Sequence, residues 1–221
     1  MKIVAFENVN FSYRKGTPRE RKVLDNVSFQ VSAGEVVSFF GRNGSGKTTL
    51  LLLCAGVLKP DRGKIEISPG AVVSLALQLP EQSFFAETAF EEIGFGPRRC
   101  GKSKKEVEEA VGLAAESVRF PLDRVELSPF SLSGGERRKV ALASCLSVHP
   151  DVLLLDEPAA GLDWEGRKNL AHLIARLGDR GMAVILATHD PGLSSVTRTA
   201  VILEGGRIWP WSRDAHFHRK P

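Results

Sequence analysis

Cysteine is scarce in this chain. Cys54, Cys100 and Cys145 are scattered without a CxxC pair. That excludes a disulfide framework and a zinc site, and it suits a reducing compartment. Cys54 stands among leucines and Cys145 among small apolar residues, so both are expected in the core. Long apolar runs are missing too. The longest, Leu50–Leu58, falls far short of the ~20 residues that span a bilayer. The start, MKIVAFENVNFSY, lacks a signal peptide's apolar stretch and meets a charge at Glu7. A soluble chain is expected, whose membrane role, if it has one, comes through a partner. Internal repeats, low-complexity segments and long heptad regions are absent as well. Charge is nearly balanced, at +4. That mild basicity suits anionic ligands, nucleic acid or an acidic membrane surface and selects none of them.

What the chain has is enough apolar matter for one sizeable core: 43% of 221 residues are hydrophobic. Short apolar or alternating runs predict strands at Ile3–Phe6, Val27–Val31, Val36–Phe40, Ile65–Ile67, Val72–Leu77, Val152–Leu155, Val184–Ala187 and Val201–Leu203. VLLLDE and AVILATHD are apolar nearly throughout, the mark of strands covered on both faces of a parallel sheet. GKTTLLLLCAGVL predicts a buried helix. SKKEVEEAVGLAAESV opens with Ser103 and Glu106 spaced as a capping box. EGRKNLAHLIARLGDRG is amphipathic and ends near Gly181. The middle, roughly 79–148, reads as mostly helical. An α/β core with a helical insertion is expected.

Three stretches carry chemistry. GRNGSGKT, Gly41–Thr48, matches G-x-x-x-x-G-K-[ST] between a predicted strand and a predicted helix. Its glycines let the backbone wrap phosphates and aim N–H groups inward, with the helix N-terminus adding positive charge. Lys47 can reach β- and γ-phosphates and Thr48 can ligate Mg2+. By itself the loop says nucleotide and leaves the base and the reaction open. VLLLDEP ends a strand in two acids. Alternation along a strand starts Asp156 and Glu157 in different directions, suiting Asp156 to the metal shell and Glu157 to activating water. ATHDP ends another strand, placing His189 to bond the γ-phosphate or the attacking water. A fourth stretch, FSLSGGERRKVALAS, Phe130–Ser144, is a second phosphate-like turn running into a basic, amphipathic helix.

With the phosphate loop, LSGGE, LLLDEP, AGLD and ATHD in that order, the chain resembles an ABC-type ATPase over nearly its whole length. The resemblance implies a P-loop NTPase fold: a RecA-like α/β core with an antiparallel β subdomain (1–78 and 149–221) and a helical subdomain (79–148). It implies ATP and Mg2+ as ligands. Tyr13 matches the aromatic that stacks on adenine. Gly41, Arg42, Asn43, Gly44, Ser45, Gly46, Lys47, Thr48 and Thr49 match the phosphate loop. Gln78 matches the glutamine that senses Mg2+ beside Thr48 and Asp156, with Gln82 a competing choice. Glu157, His189, Lys47 and Gln78 take the catalytic positions. Leu132–Glu136 matches the family signature, with Glu136 where glutamine is usual and Ser133, Gly134 and Gly135 intact. Ala160–Asp163 matches the loop that crosses between two subunits, Asp163 included. The signature is implied to close on the nucleotide of a partner subunit.

LPEQSFFAETAFEEIGFGP, Leu79–Pro97, is similar to ATPases of energy-coupling-factor importers of vitamins or transition-metal ions, as is FSYRKGTPRERKVLDNVSF near the start. That implies a second ATPase subunit, identical or related, a transmembrane coupling protein, a substrate-binding membrane protein, and a peripheral place on the cytoplasmic face of the membrane. No nucleic-acid partner is implied. An ABC ATPase of another transporter class, or a soluble ATP switch, is the alternative. Two departures stand out. Glu81, Gln82 and Ser83 follow the glutamine loop in place of the family's usual spacing, and the chain is shorter after GGRIWPWSRDAHFHRKP than many members. His216 and His218 lack the further ligands a metal site needs. Trp209 and Trp211 are expected to pack on the last strand, and PRRCGKSKK to form a solvated basic face.

Overall fold

The computed structural model describes residues 1–78, 84–190, 192–193, 197 and 199–211. Two sheets organise it. Strands β1 (Lys2–Tyr13), β2 (Arg21–Ser32) and β4 (Arg62–Ile67) form an antiparallel sheet in the order β2-β1-β4. Strands β3 (Val36–Phe40), β5 (Val73–Ala76), β6 (Val152–Asp156), β7 (Ala183–Thr188), β8 (Thr199–Glu204) and β9 (Arg207–Pro210) form the second, in the order β5-β6-β7-β3-β8-β9. Every pairing in it is parallel except β8 with β9. β3, β6 and β7 are buried at every position, as their unbroken apolar runs predict.

The period of two along these strands sorts their side chains into two cores. Val37, Phe39, Val152, Leu154, Ile185 and Ala187 join α1 (Lys47–Cys54) and the antiparallel sheet in one apolar cluster. Val36, Leu153, Leu155, Val184 and Leu186 face α5 (Trp164–Asp179) and the helices α2 (Ala89–Arg99), α3 (Lys104–Ser117) and α4 (Gly134–Leu146) in the other. Each fully buried leucine here is worth about 1.5–3 kcal/mol over exposure. Helix α1 buries Leu50, Leu51, Leu53 and Cys54. It is shorter than its sequence pattern, because Gly56 turns the chain at φ 72°.

Helices α2, α3 and α4 fall in sequence between β5 and β6. Both α3 and α4 open on full capping boxes, Ser103 with Glu106 and Ser133 with Glu136. Short 3-10 turns at Leu122–Arg124 and Pro129–Ser131 lead into α4. Cys54 is buried and Cys145 half-buried against the core, while Cys100 is exposed. Trp211 stacks on Phe40 at 5.7 Å, as expected of the last strand, whereas Trp209 is exposed. The segment Leu79–Ser83, with Gln82, lies outside the described residues, as do His216 and His218.

The parallel order matters for function. β5, β6, β7 and β3 are neighbours, so their carboxyl ends open on one crevice. Gln78 follows β5, Asp156 and Glu157 end β6, Thr188 and His189 end β7, and Gly41 follows β3.

Candidate functional site

The loop between β3 and α1 folds back on itself. The Ser45 amide donates to the Arg42 carbonyl at 3.1 Å, and Gly44 and Gly46 take φ of 80° and 108°. A Cβ at Gly46 would lie 2.8 Å from Val23 Cγ1, and one at Gly41 2.5 Å from the Leu203 carbonyl. Only glycine fits either position. Gly46 caps α1 without a side-chain bond, so the first N–H groups of α1 keep their capacity for an anion.

Side chains from the start of α1 and from the ends of β6 and β7 meet at this loop. Lys47, buried, donates from Nζ to the Gly41 carbonyl at 2.7 Å and lies 3.3 Å from Glu157 Oε1. Thr48 Oγ1 donates to Asp156 Oδ2 at 2.7 Å. Glu157 Oε2 accepts from Thr188 Oγ1 at 3.3 Å and from the His189 amide at 3.2 Å, and His189 Nδ1 lies 2.8 Å from it. Asp156 Oδ1 and Glu157 Oε1 are buried without a hydrogen bond, the latter facing Lys47 as an ion pair only.

The two acids do separate, but not by strand alternation alone. Asp156 is the last residue of β6, whereas Glu157 has left the strand at φ 46°. That left-handed turn, rare for a non-glycine residue, aims its carboxylate at Lys47 and His189. Burial pushes the Asp156 carboxyl above its usual range. The Thr48 bond and the Lys47 charge oppose the shift, and the Glu157 charge adds to it. A buried hydroxyl–carboxylate pair with one unpartnered oxygen is a donor set that fits a small hard cation sharing its shell with phosphate oxygens.

Tyr13 reaches the same place from β1, its hydroxyl 3.2 Å from Thr49 Oγ1, with the ring partly exposed and edge-on to Phe11 at 4.9 Å. Gln78 is exposed and lines a cleft with Asp156, Gly135 and Asp163. Asp163 caps α5 by accepting from the Gly166 amide at 2.7 Å.

Ser133–Glu136 does not join this cluster. Among the described residues, none of its hydrogen bonds or ion pairs reaches Gly41–Thr49. Its partners are its own capping box and Arg124. The glycines of the turn are open, with no atom within 4 Å of a Cβ placed on Gly134 or Gly135. The two phosphate-like turns of this chain are thus not joined by a bond among the described residues, although Gly135 lines the same cleft as Asp156.

Several supporting residues carry no sequence signal. Arg21, on β2, donates to the Gly44 carbonyl at 3.2 Å. Arg138 donates to the Ala160 carbonyl and steadies the loop before Asp163. Arg167 pairs with Asp190 at 3.0 Å, tying α5 to the His189 turn. Thr188 was legible only as a letter in ATHD.

A family model described as "ABC transporter" matches residues 24–160. The chain belongs to the ABC transporter family. It is an ATPase of that family, with the cassette fold that its motif order implies. A putative ABC transporter ATP-binding protein of Methanosarcina acetivorans is 40% identical over 227 residues, covering 98% of this chain and 80% of that protein. An energy-coupling factor transporter ATP-binding protein of Streptococcus sanguinis is 36% identical over 221 residues, covering 93% and 79%. Among solved structures, cbiO1 of Clostridium perfringens, part of the ABC transporter complex cbiONQ, superposes with a TM-score of 0.83 at 26% identity. It covers 94% of this cassette, which covers 87% of it.

Proposed function

We propose that this ABC ATPase powers import through a membrane transporter of the energy-coupling-factor type. The observation that carries its chemistry is the convergence of Lys47, Thr48, Asp156, Glu157 and His189 at the carboxyl ends of three adjacent strands. The energy-coupling-factor assignment is supported by relatives named as ATP-binding proteins of such transporters, and the direction of transport by the resemblance of Leu79–Pro97 to importer ATPases.

On this reading, residues 1–78 and 149–221 supply the core and 79–148 the helical subdomain. Tyr13 stacks on adenine, and Gly41 to Thr49 wrap the phosphates. Thr48, Asp156 and Gln78 hold Mg2+, which neutralises phosphate charge when bound. Lys47 leaves Glu157 for the β- and γ-phosphates. Glu157 then has Oε1 free to accept a proton from water, while Thr188 and His189 fix Oε2. His189, with its side chain 60% exposed, is also the group proposed to bond the γ-phosphate. The Ser133–Glu136 turn and Asp163 serve a second ATPase subunit, closing on its nucleotide rather than on this chain's own.

Among the described residues no helix is long and apolar enough to cross a membrane. The proposed site of action is peripheral, on the cytoplasmic face, beneath a coupling protein and a substrate-binding membrane protein. Affinity purification from detergent-solubilised membranes tests this directly. Stoichiometric integral membrane proteins are expected to co-purify, and their absence contradicts the importer assignment.

A further inference from the structure

The signature turn carries a charge of the wrong sign for a phosphate. Glu136 Oε2 accepts from the Ser133 amide at 3.0 Å and from the Ser133 hydroxyl at 2.7 Å. A carboxylate thus lies against the residue that has to meet an anion. A capping glutamate is ordinary where a helix starts in solvent. Helix α3 uses the same box, and there Glu106 Oε1 takes Lys102, a neighbour in sequence, at 3.2 Å. At α4 the second oxygen is taken by Arg124 instead, from the 3-10 turn Leu122–Arg124. The charge is met from a separate segment rather than from the helix start itself.

We propose that Arg124 is a positioning residue for the signature turn: it cancels the Glu136 charge, so that Ser133–Gly135 can receive the terminal phosphate of a nucleotide held by another subunit. The assignment rests on the two-subunit reading above. Three features support it. The N–H groups of Gly134 and Gly135, first in α4, have no intrahelical partner and lie on an open surface. With Arg124 in place the Glu136 carboxylate is paired, leaving the helix N-terminus attractive to an anion. Without it, a carboxylate remains a few ångströms from an incoming triphosphate, in an interface where closure lowers the dielectric and strengthens repulsion. The arginine side chain is 49% exposed, so the pair contributes little to folding. Its effect should appear in nucleotide-driven closure, not in stability.

A double-mutant cycle on the full chain tests this, with Arg124→Ala and Arg124→Lys made in the unsubstituted and the Glu136→Gln backgrounds. Readouts are the ATP concentration for half-maximal self-association, KM against kcat, and Tm. In the unsubstituted background Arg124→Ala should raise the half-maximal ATP concentration and KM by about tenfold, the scale of a charge-pair coupling. The change in kcat should be smaller, Tm should stay unchanged, and Arg124→Lys should retain most function. In the Glu136→Gln background, Arg124→Ala should cost less than about twofold, because no charge remains to cancel. An equal loss in both backgrounds overturns the assignment, since it would mark a packing role. No loss in the unsubstituted background, where ATP still drives association, overturns the assignment alone. An unsubstituted protein that ATP never drives to associate overturns the two-subunit reading and the assignment with it.

Discussion

Lys47 Nζ lies 3.3 Å from Glu157 Oε1, so the proposed phosphate-binding lysine and the proposed general base neutralise each other in a buried pair. Neither is available for its own task while the contact lasts. On the proposed reading, a triphosphate that draws Lys47 away would free Oε1 at the moment a nucleophile is needed. Burial without a nucleotide is tolerable because each charge has a partner.

Glu157→Gln is therefore expected to lower ATP turnover by ~10²-fold or more, the scale of a general base. Nucleotide affinity should not weaken, because the amide no longer holds Lys47 as an ion pair. An ATP-bound dimer should accumulate. Steady-state turnover and equilibrium nucleotide binding check both; near-normal turnover removes Glu157 from the role.

The Asp156 carboxyl is held above its usual range mainly by burial. The folded chain therefore keeps this proton to higher pH than the unfolded chain, and the stability tied to it is full below the ordinary carboxylate pKa. That stability is lost as pH rises through the raised folded value. Asp156→Asn should remove this part of the pH dependence. At neutral pH without nucleotide it should raise Tm. The same substitution should abolish Mg2+-dependent tightening of ATP binding. Thermal melts across pH with and without Mg2+ check both parts.

Gly46→Ala places a Cβ at φ 108° and 2.8 Å from Val23 Cγ1. The strained turn costs on the order of 1–3 kcal/mol. Because that turn sets the N–H groups that face phosphate, the expected result is a tenfold or greater rise in the ATP dissociation constant, about 1.4 kcal/mol. Tm should fall as well. Calorimetric titration and melting check these outcomes. Unchanged binding would show that the loop has another way to hold phosphates.

Much of the site was legible because its chemistry is written in short, contiguous motifs. Gly41–Thr48 is a local turn, and the run VLLLDE fixed both a buried strand and the place of its acids. The sequence could not show how Glu157 leaves β6, because a left-handed φ on a glutamate has no compositional signal. Contacts between separate segments were invisible for a similar reason. Arg21 to Gly44 and Arg124 to Glu136 depend on how the antiparallel sheet and the helices pack. Strands β1 and β2 run longer than their apolar runs, because exposed polar positions continue the same pairing. The last strand, β9, pairs through a Gly205–Gly206 turn that too short a run concealed.

Ser133–Glu136 and Gly41–Thr49 share no hydrogen bond or ion pair among the described residues, and on the proposed reading the catalytic site is complete only between subunits. Specific ATPase activity against protein concentration measures this most directly, with the association state followed in parallel. Activity per molecule should climb as monomers pair, while dilute monomer binds ATP and hydrolyses it poorly. A flat, undiminished specific activity in a verified monomer would contradict it.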